Sequence, residues 1–278
     1  MISITQVQKY WDSRPCNIRH STKPIGSKPY FNEVENKKYF VEPHIPYHAE
    51  FKKWKKKYVL EVGCGIGTDS INFIRNGSNL TAMDLSQKSL EMTKKRTKVF
   101  FPNKYPQTKQ KVRFLQGNAE NLTSVVGNKK YDLIYSFGVI HHTPNPNRCI
   151  ENFNKLLKYK GELKIMVYNR YSWKVLWILM KSGFKFWKIK DLIARYSEAQ
   201  TGCPITFSYT KKEISKILTD RGFKIKDISI EHIFPYKIND YKKNIYTKVW
   251  YFRYIPTSVF RKLESLLGWH LCVTAIKK

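Results

Sequence analysis

The sequence predicts an α/β fold built around a doubly wound sheet, and three observations carry that prediction. The run Val59-Leu60-Glu61-Val62 is an apolar strand that enters a glycine turn, Gly63-Cys64-Gly65-Ile66-Gly67. A second apolar run, Leu80-Thr81-Ala82-Met83, ends on an acid, Asp84, 21 residues after Gly63. Between residues 58 and 168, strand patterns alternate with helical ones, as in consecutive βαβ units. The first two observations place a nucleotide-type ligand across the carboxyl edge of the sheet. Glycine lets the backbone approach such a ligand where a Cβ would collide with it. A carboxylate at the next strand end can accept hydrogen bonds from both ribose hydroxyls.

The elements follow in order. Residues 6–11 read as a short helix, ended by Asp12-Ser13-Arg14-Pro15. A polar, proline-punctuated stretch follows, then helical spacing over 31–40, which Glu42-Pro43-His44-Ile45-Pro46 is expected to end. Helices are predicted over 69–76, 86–100 and 147–158. Gly77 closes the first, and Ser86 is a good N-cap for the second. Residues 101–110 read as a proline-containing loop. Residues 112–120 form a third strand and its turn, residues 131–142 a fourth strand and its loop. A fifth strand covers 161–168, introduced by a glycine turn at Gly161. An amphipathic helix over 210–220 puts Ile214, Ile217 and Leu218 on one face. It leads through Gly222 to a strand at 224–228, and 269–276 is a last apolar strand. The chain therefore divides into an N-terminal helical segment, 1–57, and a main domain, 58–278, with insertions near 169–208 and 231–268.

Composition narrows the functional classes. A hydrophobic content of 42% suffices for a real core. Five scattered cysteines without a C-x-x-C pair indicate reduced thiols in a cytoplasmic protein, not a disulfide framework. The opening Met1-Ile2-Ser3-Ile4-Thr5-Gln6 lacks the basic and apolar regions of a signal peptide. No apolar stretch is long enough to span a membrane. The net charge of +30 raises a nucleic-acid partner. The excess is spread along the chain, and lysines outnumber arginines, which are the usual base readers. The first insertion is apolar at 172–180 and then basic at Lys181, Lys185, Lys188 and Lys190. It is either a cap helix on the sheet or a helix that lies on a membrane surface.

The details of the glycine turn separate one cofactor from another. The glycines fall as G-x-G-x-G after Glu61, and Thr68 stands where a dinucleotide fingerprint needs its third glycine. A carboxylate at this strand end suits a cationic amino group better than a pyrophosphate. The segment resembles motif I of the class I S-adenosylmethionine (SAM)-dependent methyltransferases, E/D-x-G-x-G-x-G, and the likeness extends from about residue 58 to 168. The resemblance implies a Rossmann-like seven-stranded sheet of order 3-2-1-4-5-7-6 with the last strand antiparallel. It implies SAM as cofactor, held by Glu61, Gly63, Gly65, Gly67, Asp84, Leu85, Asn118, Ala119 and Phe137. The adenine turn of the family often reads G-D-A. Here Asn118 replaces the acid and can still accept through its amide oxygen.

Methyl transfer from a sulfonium is an in-line displacement that depends on alignment and exclusion of water, with a base for an O- or N-nucleophile. In such folds the loop after the fourth strand faces the methyl group. It carries His141 and His142 here, either as a base or as rings bonded to the loop backbone. Tyr168, Arg170 and Tyr171 leave the fifth strand on the same edge. Arg14, with Arg19 and His20, reaches the same cavity if the N-terminal segment folds over it. No metal site is expected: His44 and His48 are spaced four apart among prolines, without a clear carboxylate partner. The leading expectation is methylation of a small molecule in an enclosed pocket. The runner-up is a nucleic-acid methyltransferase. A third reading is a peripheral membrane protein that binds the cofactor without turnover. Asn145-Pro146 is followed by Asn147-Arg148, so the N-P-P-Y/F motif of nucleobase or protein amide methylation is absent.

Overall fold

A computed structural model describes residues 2–102, 111–200 and 202–278. The loop expected at 101–110 falls outside the described residues from 103 on. Eight strands form one mixed sheet: β1 (Tyr58–Val62), β2 (Asn79–Asp84), β3 (Arg113–Gln116), β4 (Tyr131–Phe137), β5 (Leu157–Asn169), β6 (Ser208–Tyr209), β7 (Phe223–Glu231) and β8 (His270–Lys277). The main path runs β3-β2-β1-β4-β5-β8-β7, the seven-strand order expected from the sequence. β8 lies antiparallel to both β5 and β7. The addition is β6, which pairs parallel with the end of β5 through Tyr168 to Ser208 and Asn169 to Tyr209. Two residues are too short to carry a period in the sequence.

Alternation across the pleat sends residues to two layers. Leu60, Val62 and Ile134 face one cluster, with Ile150 and Phe153, while Val59, Leu133 and Tyr135 face the other, with Phe73 and Leu90. Burial on both faces explains why these strands read as continuous apolar runs. The glycine turn expected at Gly161 is different in the structure. β5 already begins at Leu157, and the register with β4 shifts between Tyr131 and Leu133. Lys160 takes the left-handed backbone there, with φ of 58°. Gly161 is required for close approach instead: a Cβ would lie 2.9 Å from the Lys158 carbonyl oxygen.

The helices are α1 (Ile4–Ser13), α2 (Lys28–Val41), α3 (His44–Ala49), α4 (Thr68–Arg75), α5 (Gln87–Phe100), α6 (Leu122–Val126), α7 (Pro146–Leu156), α8 (Trp173–Lys181), α9 (Ile189–Gln200), α10 (Lys211–Thr219), α11 (Ile238–Lys242), α12 (Trp250–Arg253) and α13 (Thr257–Leu267). Their starts follow local chemistry. A capping box of Ser3 and Gln6 opens α1, and one of Thr210 and Glu213 opens α10. The Glu42-Pro43 pair ends α2 at Val41 as expected, but Pro43 also opens a new helix. It caps α3, and Pro46 falls in the first turn, where a missing N–H costs nothing.

Both insertions pack on the sheet. Val175 and Ile178 of α8 are buried, Val175 beside Tyr168, Ile193 and Trp269. Its other side leaves Leu176 and Met180 exposed, and Phe186 and Trp187 beyond it are exposed too. Trp173 touches Tyr251 and Phe252, which joins the two insertions. Phe40 of α2 meets Tyr236 and Tyr246 of the second insertion. Among the described residues no helix is long and apolar enough to cross a membrane.

The N-terminal segment is tied to the main domain by Arg96. Its guanidinium is fully buried, bonds Glu35 at 2.7 Å, the Phe31 carbonyl at 3.1 Å and Thr68 at 2.9 Å, and lies over the Phe31 ring. Glu35 also pairs with Arg75. Removing one partner of a buried pair leaves the other uncompensated. Glu35→Ala is expected to destabilise the protein by about 3 kcal/mol, read as a lower urea midpoint.

Candidate active site

The glycine turn after β1 is held against the end of β2. The amides of Gly63 and Cys64 both donate to the Met83 carbonyl, at 2.8 and 3.0 Å. The Gly65 amide donates to one oxygen of Asp84 and the Ser86 amide to the other, each at 2.8 Å. Gly63 has φ of 81°, and a Cβ on it would lie 2.2 Å from Val139 Cγ2. Only glycine satisfies both the left-handed backbone and that contact. Burial pushes the Asp84 carboxyl up to about 6, and the Ser86 and Gly65 amides counter it.

Three more charged groups stand at this edge. Glu61 is buried at the end of β1 and accepts a hydrogen bond from Ser70. Burial, and then the neighbouring Asp69, push its carboxyl up to about 8. Asp69, in the first turn of α4, accepts from Lys38 Nζ at 2.9 Å, Tyr39 at 3.0 Å and Tyr135 at 2.9 Å. Burial acts to lower the Lys38 pKa, but Asp69 and Glu42 outweigh it and hold the ammonium charged.

One cavity gathers these groups. Of the residues expected at the cofactor, Glu61, Gly63, Gly65, Asp84 and Leu85 line it. Asn118, Ala119 and Phe137 line it as well. Asn118 already accepts from the Glu120 amide at 2.9 Å, which leaves its oxygen a second lone pair. Gly67 is not on the wall; it opens α4 and packs against Thr93.

The structure puts one of the two histidines on the cavity wall. His142 lines the cavity, and its Nδ1 lies 3.0 Å from the Ile205 carbonyl oxygen. Thr206 Oγ1 lies 3.2 Å from the same nitrogen; the carbonyl can only accept, so its bond assigns the proton to Nδ1 and the lone pair to Nε2. His141 is fully buried off the wall, its ring centroid 3.9 Å from that of Tyr168, with no hydrogen-bond partner among the described residues. Burial, and then His142, hold it well below the usual histidine range. The chain turns through a short 3-10 segment at Ile140–His142, which leaves the two rings in contact, with centroids 4.2 Å apart, but only His142 on the cavity wall.

Of the residues expected at the acceptor, Tyr168 lines the cavity. Arg170 does not: it pairs with Glu213 at 2.7 Å and donates to the Ser208 carbonyl at 2.7 Å, fastening β6 to β5. Tyr171 is exposed on the surface. Arg14 caps the end of α1 off the cavity wall, Arg19 is exposed, and His20 packs against Tyr241. The N-terminal segment contributes other residues instead, among them Val7, Trp11, Asn17, Lys38 and Glu42. Asp69 and His270 complete a wall that no local motif announces.

Comparison with known proteins fits this geometry. A family model described as "Methyltransferase domain" matches residues 36–228. The chain belongs to that family. It is a SAM-dependent methyltransferase. It is 27% identical over 222 residues to a protein named ubiquinone biosynthesis O-methyltransferase from Rickettsia canadensis (strain McKiel), covering 78% of this chain and 82% of that one. The protein of the same name from Rickettsia conorii is 28% identical and covers 66% of this chain, but this chain spans only 58% of its length. Among solved structures, magnesium protoporphyrin IX methyltransferase from Synechocystis PCC 6803 with bound SAH covers 99% of this chain and 100% of its own, with a TM-score of 0.61 at 15% identity. At that identity it bears on the fold alone. The same enzyme was also solved with SAM bound.

A methyltransferase with Glu61 raised to about 8 has a pH signature. The folded state holds this proton more tightly than the unfolded chain, whose carboxyl titrates near 4.5. The added stability is complete below about 4.5 and is lost as pH rises through about 8. Thermal denaturation of the protein without SAM is expected to show that slope, and Glu61→Gln to flatten it.

Proposed function

We propose that this methyltransferase moves the methyl group of SAM to an oxygen of a small molecule held in the enclosed cavity, with His142 as base. The observation that carries the reading is His142 itself. Its Nδ1 is committed to a backbone carbonyl, and its ring faces the cavity beside Trp11. Nε2 is then the basic nitrogen at a site walled by Trp11, Phe137 and Tyr168. The names of the rickettsial relatives support oxygen as the atom methylated.

In this reading Glu61 would hold the cofactor's ammonium and Asp84 its ribose hydroxyls. Asn118 and Ala119 would hold the adenine. The segment 1–57 covers the cavity, with α1 and the end of α2 as its wall, and excludes water from the reacting centre. The acceptor hydroxyl gives its proton to His142 Nε2 as its oxygen attacks the methyl carbon. The carbon–sulfur bond breaks, leaving SAH, a methyl ether and an imidazolium. His141, behind Tyr168, is a packing residue in this scheme. The five free cysteines, four of them buried, support a reducing compartment such as the cytoplasm.

The test uses SAM with an isotopically labelled methyl group and a panel of phenols, aliphatic alcohols, amines and polynucleotides. Label is expected in an O-methyl ether. His142→Gln should lower kcat by about 100-fold or more while SAM affinity is kept, as for loss of a general base. Transfer to polynucleotide, or an unchanged kcat in His142→Gln, would refute the proposal.

A further inference from the structure

We infer that Glu42, His232 and His270 form a binding site for one divalent transition-metal ion of the zinc class on the wall of the SAM cavity. The three residues come from separate elements: the C-cap of α2, the residue after β7 and the first residue of β8. Glu42 and His270 line the cavity. One potential ligand atom from each lies within 4.8 Å of the other two. His270 Nε2 is 3.7 Å from Glu42 Oε1. Ligand atoms about 2.1 Å from a tetrahedral zinc ion lie about 3.4 Å apart. The pair is already near that separation, and side-chain rotation closes the rest.

The remote nitrogens are arranged as metal-bound histidines require. His270 Nδ1 lies 3.0 Å from His44 Nε2, which sets the ring and turns Nε2 toward Glu42. The Val41 backbone hydrogen-bonds the His232 ring. Both imidazoles are held on one side and offer the other. His232 has φ of 71°, an uncommon conformation for a residue other than glycine. Its carbonyl nonetheless accepts from the Trp269 amide at 2.8 Å, so the β7–β8 ladder continues while the ring lies over His270, with centroids 4.5 Å apart. The neutral imidazole is the form that ligates. Two imidazoles and one carboxylate suit zinc and its neighbours in the first transition row, and leave a fourth position open. The claim rests on these ligands and is independent of which acceptor the enzyme uses.

The test takes full-length protein stripped with a chelator and titrates it with Co²⁺, then displaces it with Zn²⁺. Metal content by mass spectrometry should reach one equivalent, with visible d–d bands that Zn²⁺ abolishes. His232→Gln and His270→Gln should each weaken Co²⁺ binding at least tenfold, with the circular dichroism spectrum unchanged. His44→Ala, which removes the bond to His270 Nδ1 and no proposed ligand, should cost about tenfold, and it carries the test if a glutamine variant fails to fold. Absence of stoichiometric binding by the parent protein would overturn the inference. So would binding indifferent to substitution at His44, His232 and His270.

Discussion

One carboxylate with two backbone amides on it governs the ligand edge of this protein. Asp84 accepts from Gly65 on one oxygen and from Ser86 on the other, and so ties the glycine turn of β1 to the start of α5. The turn tolerates no Cβ at Gly63, because Val139 of the loop after β4 packs directly on it. Three strand ends are thereby held in mutual register, and the cavity opens between them. The restraint is costly to desolvate, as the raised Asp84 carboxyl records. Two amide donors offset that cost, and a ligand that adds donors would offset more of it.

A second group of charges brings the N-terminal segment onto this edge. Arg96 and Glu35 fix α2 to α5, and Lys38 then reaches Asp69 beside Glu61. Four acidic residues, Glu42, Glu61, Asp69 and Asp84, and one buried ammonium face a single cavity. A cationic sulfonium and ammonium would offset part of that acidic excess. This is the electrostatic sense in which a SAM enzyme differs from one that must neutralise a pyrophosphate. The proposed roles of α1 and α2 follow from that anchoring, since the segment's position is set by buried pairs rather than by an exposed tail.

What was legible in the sequence was local. The strand before Gly63, the acid at Asp84 and the caps at Ser86 and Thr210 each need only a few adjacent residues, and the seven-strand order followed from the family likeness. Groups assembled across the chain were not legible. Asp69 meets Lys38, Tyr39 and Tyr135 from three elements. Glu42, His232 and His270 are far apart in sequence, and His44 was considered only as a pair with His48, whose ring packs toward Tyr135. Arg170 shows a different failure. Its position at the end of β5 suggested an anion clamp, but Glu213 on α10, 43 residues on, claims it first. His141 and His142 are adjacent in sequence, and only the 3-10 turn decides which one faces the cavity.

The central claim is that the Gly63–Gly67 turn and Asp84 form the SAM-binding edge. Calorimetric titration of SAM into the parent protein and an Asp84→Ala variant tests it most directly, with circular dichroism to confirm that both are folded. The account predicts binding that weakens tenfold or more in the variant, a loss of about 1.4 kcal/mol or greater. Equal affinity in two folded proteins would contradict it and move the cofactor away from this edge.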